Sequence, residues 1–163
     1  MIAVADASPL IFLGKLRRLG LVRALGGRDI RVPRAVVAEA LPPGLDPAED
    51  RQLREFLDRC RIETVRRPRR FAAAMSKADN AALTLAVRAH ADLLLCDERV
   101  TRFMAQTNGI RPLGTLGILL QALRAGHMTT PETREAVDEL VSRHDFRIGV
   151  RLYQAVLARI ESG

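Results

Sequence analysis

Two aspartates stand directly after short apolar runs of the chain. Asp6 follows Ile2-Ala3-Val4-Ala5, and Asp97 follows Leu93-Leu94-Leu95-Cys96. In an open parallel sheet, ligands bind at the carboxyl ends of the strands, so two such aspartates would face one crevice. Carboxylates gathered there repel one another unless a divalent cation lies between them. Because the chain is also strongly basic, which indicates a polyanionic substrate, a metal-dependent nuclease is the first hypothesis.

Two further acids have positions from which they could join such a site. Glu39 lies near the end of a predicted helix over 33–41, three residues after the apolar Val36, so it borders the inward-facing side. Asp79 lies in the first turn of a helix that is predicted to begin near Ser76. Both acids therefore belong to the candidate site.

Each of the four acids also has an ordinary structural explanation. Asp79 could complete a capping box with Ser76, and Glu39 could be a solvated surface residue. Asp97 could cap the next helix, and Asp6 could bond the turn that follows it. Spacing alone leaves both interpretations open.

Apolar runs alternate with helical segments, which is typical of α/β proteins with a parallel sheet. Ser8 is predicted to cap the first helix, with Pro9 in its first turn. The last part of the chain predicts two amphipathic helices. The predicted strands are 2–5, 30–32, 62–65, 92–96 and 110–112, and the longer predicted helices between and after them are 33–41, 47–59, 76–91, 98–107 and 115–126.

The composition describes one ordinary globular domain. The 163 residues are 48% hydrophobic and 28% charged, which is enough for a substantial core. The chain has no apolar run of bilayer length and no secretory signal pattern, so we expect a cytoplasmic protein. Cys60 and Cys96 are isolated from each other and from histidines, and both are predicted to be core thiols.

The positive charge is concentrated in the first half of the chain. Residues 1–78 hold 16 Lys and Arg against 9 Asp and Glu, whereas the remainder is balanced. The excess is densest in a predicted exposed loop that contains Arg66, Arg67, Arg69 and Arg70, which could bind the phosphates of a substrate. Alternatively it reflects a compositional preference, since 24 of the 26 basic residues are arginine. With few aromatic residues, base-stacking platforms are poorly supported.

Four motifs follow one another along the chain: D-A-S-P-L-I over 6–11, V-P-R-A-V-V-A-E over 32–39, K-A-D-N-A-A-L-T-L-A over 77–86, and A-D-L-L-L-C-D-E-R over 91–99. In this order they resemble the motifs of PIN-domain nucleases. Two later segments, G-T-L-G-I-L over 114–119 and F-R-I over 146–148, are similar to one bacterial and archaeal subfamily of that family. The chain departs from that subfamily in having Ala78-Asp79 where a Gly-Glu pair is frequent, and it keeps Asp6 where many members have asparagine.

The resemblance implies a fold as well as an activity. The expected fold is α/β, a PIN-like three-layer arrangement with a central parallel sheet flanked by helices, plus C-terminal helices. Residues 1–128 would form the nuclease domain, and residues 129–163 a helical extension packed on the same domain.

The resemblance further implies an endoribonuclease that depends on Mg²⁺ or Mn²⁺ and cleaves single-stranded RNA. Asp6, Asp79 and Asp97 would hold the metal, and Glu39 would orient a water or act as a base. Ser8 would bind a carboxylate or the substrate phosphate. Many bacterial members resemble VapC-type toxins, which implies a small antitoxin partner and often a homodimer, without a membrane.

Three other functional classes are alternatives to a nuclease. A non-catalytic nucleic-acid-binding module would keep the fold without the metal. A phosphatase with Asp6 as nucleophile is weaker, because Ser8 stands where D-x-D needs an acid. A dinucleotide-binding domain is weaker still, since no G-x-G-x-x-G follows the first apolar run.

Overall fold

A five-stranded sheet forms the centre of the computed structural model, which describes residues 1–163. Its strands are β1 (Ile2–Ala5), β2 (Asp29–Pro33), β3 (Arg61–Glu63), β4 (Leu93–Leu95) and β5 (Arg111–Leu113). Their order across the sheet is β3-β2-β1-β4-β5, and every neighbouring pair is parallel. The predicted parallel α/β sheet is therefore confirmed.

Nine helices flank this sheet. They are α1 (Ala7–Lys15), α2 (Gly20–Gly26), α3 (Arg34–Ala40), α4 (Pro47–Leu57), α5 (Lys77–Arg88), α6 (Arg99–Thr107), α7 (Thr115–Arg124), α8 (Thr130–Arg143) and α9 (Val150–Glu161). None of these helices has the length and apolar character needed to cross a bilayer.

The two strands that precede Asp6 and Asp97 are the most deeply buried. All three residues of β4 are at most 1% exposed, and residues 3–5 of β1 are fully buried. Helices must cover both faces of such strands, which is why they are continuous apolar runs and do not alternate with polar residues. Helix α5 packs against β1, β2 and β4.

The register of β1 and β4 brings their carboxyl ends to the same level. Ala5 pairs with Leu95, and the Asp6 N–H donates a 2.9 Å hydrogen bond to the Leu95 carbonyl. Neighbouring strands lie about 4.8 Å apart, so the chain segments that carry Asp6 and Asp97 leave the sheet side by side.

The start of α1 differs from the prediction in a way that matters for the site. Asp6, not Ser8, is the N-cap residue, and its carboxylate accepts the Ala7 N–H at 2.8 Å. Ser8 lies inside the first turn, where its hydroxyl is free to bond elsewhere. The sequence prediction was wrong because Pro9 fits the first turn after either cap.

The two C-terminal helices pack against α7 and against each other. A capping box between Thr129 and Glu132 starts α8, in which the Thr129 hydroxyl accepts the Glu132 N–H and Glu132 accepts the Thr129 N–H. Phe146, between the two helices, makes an edge-on contact with Phe12 of α1. The division of the chain at residue 128 stays a prediction. Cys60 and Cys96 are unpaired thiols.

Candidate metal and nucleic-acid site

Asp6 and Asp79 form a pair of neighbouring carboxyl groups at the end of β1. Asp6 is only 2% exposed and Asp79 only 9%. Burial, followed by a hydrogen bond with Asp79 and the negative charge of Asp79, raises the pKa of Asp6 to about 9. Without a cation between them, the two groups avoid repulsion by keeping a proton on Asp6 near neutral pH.

Asp79 is also fixed by the start of its own helix. Its carboxylate accepts the Ser76 N–H at 3.0 Å, and the Asp79 N–H donates to the Ser76 hydroxyl at 3.1 Å. The capping-box interpretation of Asp79 is therefore correct, and it does not exclude a place in the site. In the capping box one Asp79 oxygen accepts a hydrogen bond from the start of the helix. The same carboxyl group also lies next to Asp6.

Asp97 is held by three hydrogen-bond donors. The backbone N–H and the hydroxyl of Thr115 donate to its two oxygens at 2.6 and 2.7 Å, and the Ser8 hydroxyl donates at 2.9 Å. Thr115 is the first residue of α7, so the positive end of a helix dipole also faces this carboxylate. Asp97 does not cap the following helix, because Glu98 occupies that position. Its orientation is therefore set by α1 and α7.

The buried thiol of Cys96 lies within the field of all three aspartates. Burial is the main cause that raises the pKa of Cys96, and the negative charges of Asp6, Asp97 and Asp79 raise it further. The positive charge of Arg102 acts in the opposite direction. The Cys96 thiol is therefore close enough to three carboxylates and one guanidinium for their charges to affect its pKa. These four groups lie together at one edge of the sheet.

Glu39 lies at the outer side of this group. Most of α3 packs inward through Val36 and Ala40, whereas Glu39 is exposed. Partial desolvation, followed by the negative charge of Asp79, raises the pKa of the Glu39 carboxyl. Glu39 is therefore near enough to Asp79 to interact with it while keeping contact with water.

These residues fit a hard divalent cation by their chemistry. The groups offered are carboxylate oxygens, which Mg²⁺ and Mn²⁺ prefer, and a cation beside Asp6 and Asp79 would relieve their buried repulsion. No three Asp, Glu, His or Cys side chains converge on one point at ligand distance in this structure. Asp6 and Asp79 would hold the ion, and Asp97 would complete its surroundings.

A cleft of about 810 Å³ opens beside Asp97. Its lining includes Ser8 and Asp97, the segment from Asp145 to Arg147, and two residues of helix α9. Part of its lining is apolar, from Phe12, Leu116, Leu120, Phe146, Leu152 and Val156. The charged lining residues besides Asp97 are Glu98, Arg99, Arg102, Asp145 and Arg147.

The basic loop is exposed and runs along α5. The guanidinium of Arg88, at the end of α5, donates to the carbonyls of Arg66 and Arg67 at 2.9 and 3.0 Å. Further along, the Arg69 N–H donates to the Thr84 hydroxyl at 2.9 Å. The loop therefore follows the helix from its C-terminal end towards its N-terminal end.

The far end of the loop reaches the first turn of α5, where Asp79 lies. The Phe71 N–H donates to the Asn80 side chain at 2.8 Å, and the Arg69 guanidinium stacks on the Phe71 ring. Asp79 and Arg88 are nine positions apart in α5, which corresponds to roughly 14 Å along the helix axis. The structure thus brings Asp6, Asp79, Asp97 and Ser8 together, while the four loop arginines are exposed on the loop along α5.

Sequence reasoning missed two residues of the site. Thr115 follows β5 by two positions, so the rule that selected Asp6 and Asp97 as residues after strand ends would also have selected it. The Asn80 side chain forms hydrogen bonds with the backbone of Phe71, Met75 and Ser76 and so holds the end of the basic loop against α5. No local sequence pattern predicts that role.

Comparison with known proteins gives two findings. A family model described as a PIN domain matches residues 2–162. The fold is similar to that of a PilT N-terminus domain protein from the archaeon Sulfolobus solfataricus P2, with a TM-score of 0.54 and 18% sequence identity. That alignment covers 76% of this chain and 94% of the archaeal one. Among curated proteins none matches the chain.

Proposed function

Because this chain belongs to the PIN-domain family, we propose that it is a metal-dependent endoribonuclease that hydrolyses phosphodiester bonds of single-stranded RNA. The family implies a nuclease-like module. The observation that carries the finer proposal is the buried Asp6–Asp79 pair at the end of the central strand. Two carboxyl groups desolvated side by side are unfavourable for folding, and a divalent cation offsets that cost.

Mg²⁺ or Mn²⁺, when bound, supplies a Lewis acid that activates the attacking water and stabilises charge on the departing oxygen. Asp6 and Asp79 would hold the ion, and Asp97, which follows the neighbouring strand β4, would complete its surroundings. Ser8 and Thr115 keep the Asp97 carboxylate in one orientation through their three hydrogen bonds.

Glu39 has the properties of a proton acceptor at the mouth of the site. Its carboxyl is exposed to water, and its pKa is raised by desolvation and by Asp79. A raised pKa brings a carboxylate closer to the range in which it exchanges protons at neutral pH. We assign it to orienting or deprotonating the attacking water.

The substrate side of the proposal rests on charge. Arg66, Arg67, Arg69 and Arg70 are exposed on the loop along α5, and their phosphate contacts would extend the bound strand away from the acids. Access to cellular RNA places the protein in the cytoplasm in this proposal.

A protein partner is also part of the proposal. Several large apolar side chains are exposed on α6 and α9: Phe103 by 64%, Val150 by 72% and Leu152 by 54%. Such surface suits contact with a small antitoxin protein or with a second copy of the chain. Light scattering of the purified chain, alone and co-expressed with a neighbouring small open reading frame, would test it.

Cleavage of a labelled single-stranded RNA in Mg²⁺ or Mn²⁺ tests the nuclease. The native protein should cleave, while Asp6→Asn and Asp97→Asn should lose most activity. Asp58→Asn is the matched control, because Asp58 is an exposed acid at the end of α4. Equal cleavage by all four proteins would show that a contaminant is responsible.

One observation favours a second candidate, a catalytically silent nucleic-acid-binding module. No three ligand-type side chains converge at metal distance. Binding of RNA by the native chain without cleavage, in saturating Mn²⁺, would select this candidate over the nuclease.

A further inference from the structure

Arg102 differs from the other arginines of the chain in its surroundings. Four arginines are partly buried, and the rest are exposed. Three of the four have protein partners: Arg18 bonds Glu132, Arg23 bonds the Arg59 carbonyl, and Arg31 bonds Asp29 and Glu63. The guanidinium of Arg102 forms no side-chain hydrogen bond and no ion pair. Its five N–H donors have no protein acceptor, so they are available to an anion whose geometry matches the planar guanidinium.

The guanidinium of Arg102 lies close to Asp97 without neutralising it. A Cβ atom placed on Gly114 would be 2.7 Å from Arg102 Nη1 and 2.8 Å from Asp97 Oδ1. The two atoms are therefore no further apart than about twice that distance, and yet no ion pair joins them. The Asp97 oxygens are instead taken by Ser8 and Thr115.

Gly114 keeps this space open. A side chain at position 114 would displace the Arg102 guanidinium or the Asp97 carboxylate, and its Cβ would also lie in tight contact with the Cys96 carbonyl at 3.3 Å. The backbone of Gly114 has φ −89°, which any residue can adopt, so the glycine is required by space and not by conformation. A free guanidinium, a fixed carboxylate and the open cleft therefore meet at one point.

From this arrangement we infer that Arg102 binds a backbone phosphate of the nucleic-acid strand in the cleft beside Asp97, and that Gly114 leaves the room for it. The inference rests on the proposed function, since it names the residue that positions the strand at the same site. The planar guanidinium matches two phosphate oxygens at once, which a lysine cannot do. The strand would then lie in the cleft that Asp97 lines together with residues 145–147 and two residues of α9.

Binding of a fluorescent single-stranded RNA, measured in EDTA so that no cleavage occurs, tests this inference. Arg102→Gln should weaken binding by about tenfold or more, as expected for loss of a charge-assisted hydrogen bond. It should also reduce the slope of log affinity against log salt by about 0.7. Arg102→Lys should restore the salt slope but only part of the affinity.

The matched control is Arg124→Gln, which removes the same charge from the exposed far end of α7. It should leave the affinity nearly unchanged. Gly114→Ala should reproduce the weaker binding with the charge intact, and it keeps the inference testable if Arg102→Gln does not fold. Thermal unfolding of each variant checks that the fold is intact.

The outcomes separate this inference from the proposed function. If native protein binds RNA and both Arg102→Gln and Gly114→Ala bind it equally well, Arg102 has no such role, while the nuclease proposal stands. If Arg124→Gln weakens binding as much as Arg102→Gln, the effect is general charge and the inference is overturned. If native protein neither binds nor cleaves RNA, the proposed function fails, and this inference with it.

Discussion

The hydroxyl of Ser8 donates a 2.9 Å hydrogen bond to the carboxylate of Asp97, although the two residues follow different strands. Asp6 begins α1, and Ser8 lies in its first turn, so this bond ties the helix that starts at one acid to the other acid. Thr115 completes the support from α7. The position of Asp97 is therefore set by two other segments of the chain, the starts of α1 and α7.

Thr115→Val should destabilise the protein, because it removes a fully buried hydroxyl that bonds a carboxylate. Bonds to charged groups contribute about 1.5–3 kcal/mol, and that loss in the free energy of unfolding is expected by urea denaturation. Ser8→Ala should cost less, since Ser8 is partly exposed and water can replace it. The control Thr107→Val removes an exposed hydroxyl bond and should change little. Equal stability of Thr115→Val and native protein would contradict the prediction.

The stability of the metal-free protein should fall as the pH rises from about 4 to 9. The pKa of Asp6 is about 9 in the folded chain against an ordinary value of 3.8, so between these values only the unfolded chain has released the proton. Folding then takes up a proton, and the free energy of unfolding falls by up to about 1.4 kcal/mol per pH unit. The advantage of the neutral carboxyl is complete below pH 3.8 and is lost as the pH passes 9.

Urea denaturation in EDTA at several pH values measures this effect against Asp6→Asn. The amide does not titrate, so the variant should gain stability relative to the native protein as the pH rises. Parallel pH profiles for the two proteins would show that Asp6 is ionised in the folded chain.

Divalent metal should stabilise the folded chain at pH 8. At a free Mn²⁺ concentration of about 100 times Kd, binding contributes about 2.7 kcal/mol. For a chain of this size that corresponds to a rise of about 5–10 °C in Tm. Asp6→Asn and Asp79→Asn should lose most of this rise, and Asp58→Asn should keep it. A rise that persists in the first two variants would place the ion elsewhere.

Replacing the four loop arginines by alanine should weaken RNA binding uniformly across sequences. Each lost phosphate contact lowers the salt slope by about 0.7, so the largest change expected is about 2.8. The charge-matched control changes four exposed arginines outside the loop, and an equal effect of the two variants would mean that the loop has no special part. The loop residues are Arg66, Arg67, Arg69 and Arg70, and the control residues are Arg111, Arg124, Arg143 and Arg159.

The sequence predicted the sheet well because its two central strands are buried on both faces. Continuous apolar runs ending in an aspartate leave few other interpretations, and β1 and β4 were placed within one or two residues. The predictions for the edge strands β3 and β5 were wrong by one or two residues at their ends, since each strand is only three residues long. A strand of three residues is too short to show a clear pattern of apolar residues in the sequence.

The predictions for individual side chains were limited by information that no local pattern holds. Whether Asp6 or Ser8 is the N-cap depends on Asp97, because the Ser8 hydroxyl donates its hydrogen bond to that carboxylate. Asp97 follows a different strand, so the local sequence does not reveal this bond. Similarly, Arg102 looks like any other surface arginine in the sequence. Only packing reveals that it faces Asp97 across the space left by Gly114.

The donors that orient Asp97 come from both sides of it in the chain. During translation Ser8 is synthesised early, whereas Thr115 is synthesised only after β5. Thr115 supplies two of the three hydrogen bonds to Asp97. A nascent polypeptide that stops short of this point has its acids but not their final arrangement. The candidate site of this PIN domain is therefore completed only when translation of the chain is well advanced.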